Sequence, residues 1–145
     1  MAKVKDVLSK KGREVHSIRE TDSVSDAAFL MNRYRIGCLL VLAEESVIGI
    51  FTERDILTQV VAPGRDPETT KVKDVMTSPV AACGLDTELE ECRAVMTEKR
   101  IRHLPVVEEG KLEGIIASGD IMAWEAVAKQ ETIDYLYDYL YGKQP

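Results

Sequence analysis

The strongest constraint on this chain is that it is written twice. Val4-Lys5-Asp6-Val7-Leu8 returns as Val72-Lys73-Asp74-Val75-Met76, sixty-eight positions later. From Val15 onward the offset is sixty-five, so the first copy carries three extra residues within Lys10 to Glu14. Under that offset Met31 matches Met96, and Arg35-Ile36 matches Arg100-Ile101. Gly49-Ile50 matches Gly114-Ile115, and Asp55-Ile56 matches Asp120-Ile121. A unit of about sixty residues buries its apolar face poorly alone. Two such units are expected to stack about a pseudo-twofold axis and make one core from two halves.

Each copy reads as β-α-β-β-α. A short strand is expected at Val15 to Ile18 and at Val80 to Cys83. A helix follows, with Val24, Ala27, Ala28, Met31 and Tyr34 at helical spacing in the first copy. Leu89, Cys92, Val95, Met96 and Lys99 do the same in the second. Asp22 and Thr87 stand where helix N-caps belong, and Glu90 is placed to close a capping box with Thr87. Gly37 to Leu42 and His103 to Val107 are continuous apolar runs, as strands buried on both faces should be. Partner strands are expected at Val47 to Phe51 and Leu112 to Ile116, with a second helix near Thr52 or Ala117. The Pro/Gly-rich stretch from Ala62 to Thr70 reads as the linker. The units are repeat 1 over residues 1–66, repeat 2 over 67–127 and a helical tail over 128–145. The fold class is α/β (α+β).

Composition narrows the function. The 145 residues are 45% hydrophobic and 30% charged, as in an ordinary globular chain. A net charge of −6 argues against a broad nucleic-acid face. No apolar run is long enough to cross a bilayer, and the charged start at Met1 to Asp6 does not read as a signal peptide. The expected setting is cytoplasmic, with no membrane and no nucleic acid. Three cysteines without Cys-x-x-Cys spacing fit neither a disulfide framework nor a zinc site. Two histidines support no metal site or triad, and Walker or Rossmann glycine loops are absent. No enzyme is expected.

Gly49-Ile50-Phe51-Thr52-Glu53-Arg54-Asp55-Ile56 and Arg102-His103-Leu104-Pro105-Val106-Val107, followed by Gly114-Ile115-Ile116, resemble a tandem pair of CBS domains, a Bateman module. The Val-Lys-Asp-Val starts and Ser78-Pro79-Val80 fit the same family, over about residues 3 to 127. The resemblance implies a regulatory module. Such pairs bind adenosine nucleotides (AMP, ADP, ATP), and sometimes NAD-type cofactors or S-adenosylmethionine, in clefts between the repeats. No cofactor is required; the nucleotide is a regulatory ligand. The resemblance also implies homodimers and a protein partner that the sequence does not name.

The residues have their own chemistry. Thr52 ends a strand and opens a helix, where free N–H groups and the positive dipole end favour phosphate. Arg54 adds a charge-assisted contact, and Asp55 accepts from both ribose hydroxyls. Thr-x-x-Asp is also a capping box that needs no ligand. In the second copy Ala117 replaces the threonine while Asp120 persists, which favours the ribose role. Ala117-Ser118-Gly119-Asp120 departs from the Ser-Arg-Gly-Asp expected by resemblance, with Ser118 one position off. The first site is therefore expected to be good and the second weakened. By resemblance Gly37, Cys38, Arg102 and His103 lie against the ligand, and Ser17, Ile18, Ala82 and Cys83 wall the base. The alternative for these strand residues is plain core. The rival function is a scaffold that keeps the fold without nucleotide; a lesser one is a redox adaptor through Cys38.

In the tail, Ile133, Leu136, Tyr137, Leu140 and Tyr141 form a stripe at helical spacing, widened by Tyr135 and Tyr139. Such a helix either folds back on its own core or joins a dimer contact; the expectation is a homodimer with the tail contributing.

Overall fold

The computed structural model describes residues 1–142. Helix α1 (Val4–Lys11) is followed by β1 (Ser17–Arg19), α2 (Val24–Tyr34), β2 (Cys38–Ala43) and β3 (Ser46–Thr52). A single helical turn α3 (Glu53–Asp55) continues as a π-helical stretch (Ile56–Val61). The second copy opens with a 3-10 turn (Val72–Asp74). It continues as α4 (Leu89–Lys99), β4 (His103–Glu108), β5 (Lys111–Ala117) and α5 (Ser118–Tyr141).

The apolar runs become β2 and β4, each paired antiparallel with its successor. The two hairpins are superimposable in register: Leu39 faces Phe51 and Val41 faces Gly49, as Leu104 faces Ile116 and Val106 faces Gly114. β1 adds a parallel strand to the first sheet. The second sheet has two strands, which corrects the expected strand at Val80 to Cys83. Only Cys83 bridges β4, through its N–H on Pro105 and the Val107 N–H on its carbonyl. Of the four residues between Pro79 and Gly84 only Val80 is β-branched, and a proline offers no ladder donor.

The helix caps also shift by one residue. Ser23, not Asp22, caps α2, accepting from Asp26 N–H at 3.0 Å. Glu88, not Thr87, stands at the α4 N-cap and gives no side-chain cap. Asp22 instead accepts from Arg19 N–H, and Thr87 Oγ1 from Gly84 N–H; both close the turn before the helix. Glu90 pairs with Arg93 rather than closing a box.

The two halves exchange their opening segments. Val4, Val7 and Leu8 of α1 are buried with Leu89, Cys92, Met96, Leu104, Val106, Ile116 and Ile121, all of the second copy. Val72 and Val75 are buried among Ile18, Val24, Met31, Leu39 and Phe51 of the first. The crossing is symmetric. Val4 N–H donates to Thr87 O, and Val72 N–H to Asp22 O, both at 2.9 Å. Each core thus crosses the boundary drawn at residue 66. It also explains two matched glycines. A Cβ on Gly49 would sit 2.5 Å from Met76 Sδ, and one on Gly114 3.1 Å from Leu8. Cys38, Leu40 and Ile50 make a third buried cluster that Leu112 and Ile115 join, where the two sheets meet.

The last helix of the second copy and the tail are one element. α5 runs 24 residues and does not fold back. Its first turns hold Ile121 in the core and Trp124 against it, with Lys10 over the indole ring at 5.0 Å. From Ala126 to Tyr141 every residue is exposed.

Candidate functional site

β3 ends at Thr52 in extended backbone, and α3 starts at once. The Asp55 N–H donates to Thr52 Oγ1 at 3.3 Å, while Asp55 Oδ2 accepts from Thr52 N–H at 3.0 Å. The capping box is therefore formed. It leaves Asp55 capacity to spare, because a carboxylate offers about four acceptor positions. The Thr52 hydroxyl also donates to Oδ2, and among the described residues the one donor to Oδ1 is Thr77 Oγ1, at 3.2 Å. Capping and ligand binding are compatible at this residue.

These groups open into a cavity of about 500 Å³ between the two copies. The β3–α3 turn supplies Thr52 to Asp55. The crossing segment supplies Thr77 and Pro79 to Ala81. The α4–β4 connection of the second copy supplies Lys99 to His103, and Gly37 and Ile50 complete the wall. A Cβ on Gly37 would lie 3.2 Å from the Glu53 carboxylate, so this wall is close to that side chain. Four permanent cations (Arg54, Lys99, Arg100, Arg102) face two carboxylates (Glu53, Asp55), a local positive excess in a chain of net charge −6. Arg100 holds φ 55, the left-handed region that favours glycine. Burial pushes the His103 imidazole below its ordinary pKa, and Arg102 and Lys11 push the same way against Asp120 and Glu53.

Of the residues singled out in the sequence, Gly37, Thr52, Arg54, Asp55, Arg102 and His103 line this cavity. Ile18 does not; it lies in the first core, and Ser17 beside it is exposed on β1. Ala82 is exposed, one residue beyond the lining at Ala81, and Cys83 lies over the second core. Cys38 is buried on β2 opposite Thr52, and burial pushes its thiol up to about 11, which disfavours the reactive thiolate. Cys83, half-buried beside Cys92, is also held above the ordinary thiol range by that neighbour and by burial. Lys99, Arg100 and Thr77 were not singled out.

The matched cleft is built differently. Ser118 N–H donates to Arg102 O at 2.9 Å, as Glu53 N–H does to Gly37 O at 3.0 Å. Asp120 Oδ2 accepts from Ala117 N–H at 2.7 Å. That bond corrects the argument that Asp120 lost its capping reason with the hydroxyl, because the backbone donor is there whatever the side chain. Asp120 Oδ2 also takes the Lys11 ammonium at 2.6 Å, and Lys11 donates again to Ile115 O at 2.9 Å. Tyr34, matched to Lys99, stacks on His16 with ring centroids 4.2 Å apart.

Two interlocked copies of one unit, with a carboxylate-and-hydroxyl turn facing a basic cleft between them, define a tandem-repeat pair. The CBS domain profile matches residues 4–62 and 72–126, and the chain belongs to the CBS-domain family as a tandem pair. It is 31% identical over 121 residues to the CBS domain-containing protein YhcV of Bacillus subtilis, covering 83% of this chain and 84% of that protein. A CBS-domain protein structure from Burkholderia ambifaria superimposes with TM-score 0.84 at 38% identity, covering 89% of this chain and 96% of that one. The CBS domain pair of protein MJ0100, solved with 5′-methylthioadenosine and S-adenosyl-L-methionine, shares the fold at TM-score 0.77 and 23% identity, covering 88% of this chain and 98% of that one. CBS pairs are regulatory and often bind adenosine ligands. Among the described residues, no helix is long and apolar enough to cross a membrane.

Proposed function

We propose that the first cleft binds an adenosine nucleotide and that its occupancy regulates a protein partner in the cytoplasm. The observation that carries this reading is the 500 Å³ cavity with Asp55 and four permanent cations on its wall. Asp55 takes the ribose hydroxyls on its spare acceptor positions. Arg54, Arg100 and Arg102 take phosphate oxygens through charge-assisted bonds. The positive excess favours AMP, ADP, ATP or NAD(H) over S-adenosylmethionine, whose sulfonium carries the wrong sign. The MJ0100 CBS pair, of the same fold and solved with two adenosine compounds, supports the adenosine part.

Regulation requires that the nucleotide bind two states differently. The second state is taken to be one of a homodimer formed through α5. The exposed part of that helix carries Ile133, Leu136, Tyr137 and Leu140 on one side, and helices draw most of their stability from packing such a face.

The test is thermal unfolding with AMP, ADP, ATP, NADH and S-adenosylmethionine on wild type and Asp55→Ala. A ligand at a hundred times its Kd adds about 2.7 kcal/mol, a rise of about 5 to 10 °C in Tm for a chain of this size. A phosphate-bearing ligand is expected to give that rise in wild type alone. No shift with any of them leaves Thr52 and Asp55 as a helix cap, and the protein as a scaffold.

A further inference from the structure

We propose that the second cleft is occupied by the chain itself: Lys11 is the resident ligand of Asp120, so the molecule takes one nucleotide and not two. The inference rests on the nucleotide reading of the first cleft. Its source is the repeat offset. Between matched residues Ser9/Thr77 and Val15/Val80 the first copy has five residues and the second has two. The two-residue version runs straight past the first cleft, and Thr77 offers Asp55 only a neutral hydroxyl at 3.2 Å. The five-residue version extends the end of α1, and from there Lys11 reaches across to Asp120.

The contact has the features of a filled site. Lys11 Nζ lies 2.6 Å from Asp120 Oδ2 and 2.9 Å from Ile115 O. Two of its three donors are thus spent on this cleft. Ile115 matches Ile50 of the first cavity wall, so both anchors belong to cleft positions. A ribose approaching Asp120 meets an ammonium group already on the oxygen it needs. Of the first cleft's four cations the second keeps only the match of Arg100, which is Arg35. Gly119 stands for Arg54, Tyr34 for Lys99 and Gly37 for Arg102.

The experiment has two parts on the full chain. The first needs no ligand: thermal unfolding of wild type, Lys11→Met, Asp120→Asn and the double variant. Methionine keeps the apolar stem, and asparagine keeps the cap on Ala117. A formed pair predicts non-additivity, the double variant melting no lower than Lys11→Met alone. Additive losses overturn the proposal whatever nucleotides do. The second is calorimetric titration with ATP and with adenosine. Wild type is expected to bind one equivalent, and Lys11→Met to bind a second equivalent of adenosine. Two equivalents in wild type overturn the proposal, and so does a Lys11→Met protein that binds no more adenosine than wild type. No binding by either protein overturns the nucleotide reading as well. Binding by Lys11→Met alone supports the proposal and removes only the reading of the first cleft.

Discussion

The two clefts share a backbone and differ in what fills it. Each has a strand ending at a helix start, a carboxylate at the third helical position and a matched amide bond, Glu53 N–H to Gly37 O or Ser118 N–H to Arg102 O. In the first, the carboxylate meets hydroxyls and the wall carries four permanent cations. In the second, one lysine of the same chain sits on the carboxylate. Duplication supplies two equivalent positions, and the side chains decide which stays open. The shared carboxylate therefore says little by itself, because it caps a helix in both. The surrounding charge carries the distinction.

The largest expected effect comes from removing that carboxylate's charge on one side only. Asp55→Asn keeps an acceptor for Thr52 N–H, so the cap survives. It turns charge-assisted ribose bonds into neutral ones, a loss of about 1 to 1.5 kcal/mol for each of two bonds, so nucleotide affinity should fall by roughly 10- to 100-fold. Asp120→Asn should change first-cleft affinity by less than about twofold, because that group acts elsewhere. Calorimetric titration of both variants checks the pair. Equal losses would break the comparison.

Grafting sharpens it. Ala117→Thr with Gly119→Arg rebuilds the first motif in the second cleft. Gly119 has nothing within 4 Å of an added Cβ, so the new side chain fits. The threonine adds an N-cap to α5 and the arginine replaces a helix glycine, together stabilising by about 1 to 2 kcal/mol. Thermal unfolding should show that gain, and titration should still give one nucleotide while Lys11 is present. A second equivalent from the graft alone would mean that the missing hydroxyl and arginine, not the lysine, had closed the site.

The third contrast uses a matched strain. Arg35 and Arg100 both hold left-handed φ, 53 and 55, at the ends of α2 and α4. That conformation costs an L-residue about 1 to 2 kcal/mol. Glycine at either position should therefore raise stability by about 1 kcal/mol. Only Arg100→Gly should also weaken nucleotide binding, by about threefold for one exposed phosphate contact. The same loss in Arg35→Gly would show the effect to be a backbone one.

Much of this was legible in the residues. The repeat offset gave both hairpins, and the turn at Thr52 gave the site's centre. The caps slipped by one residue because Asp22-Ser23 and Thr87-Glu88 each offer two neighbours suited to closing a turn. The exchange of Val4 to Leu8 with Val72 to Val75 was not legible. Apolar spacing says that a segment is buried but not against which half. Arg100 did leave a signal. Its match with Arg35, directly after each helix and in place of the expected glycine, marks a position held against backbone preference. The role of Lys11 was half visible. Its stretch was seen to be longer in the first copy, but where that length goes is decided by α1 lying in the other half's core.

The smallest effect separates the clefts by pH. His103 lies in the first cleft and its match, Cys38, in the second. Cys38 is pushed up to about 11, so the second cleft gains no charge from this position near neutrality. His103 is held below its ordinary 6.5 by burial first and then by Arg102 and Lys11. The unfolded chain therefore binds this proton more readily than the folded one. Stability from this group is full above pH 6.5 and declines as pH falls from 6.5 toward the folded pKa, where the loss levels off. A bound phosphate reverses the local balance of charge and raises the imidazole pKa, so binding takes up protons. Affinity for ATP should rise about two- to threefold from pH 7 to pH 6, while affinity for adenosine stays flat. His103→Gln should flatten the ATP profile and leave the adenosine one unchanged. A parallel rise for adenosine would place the titrating group outside the phosphate end of the cleft.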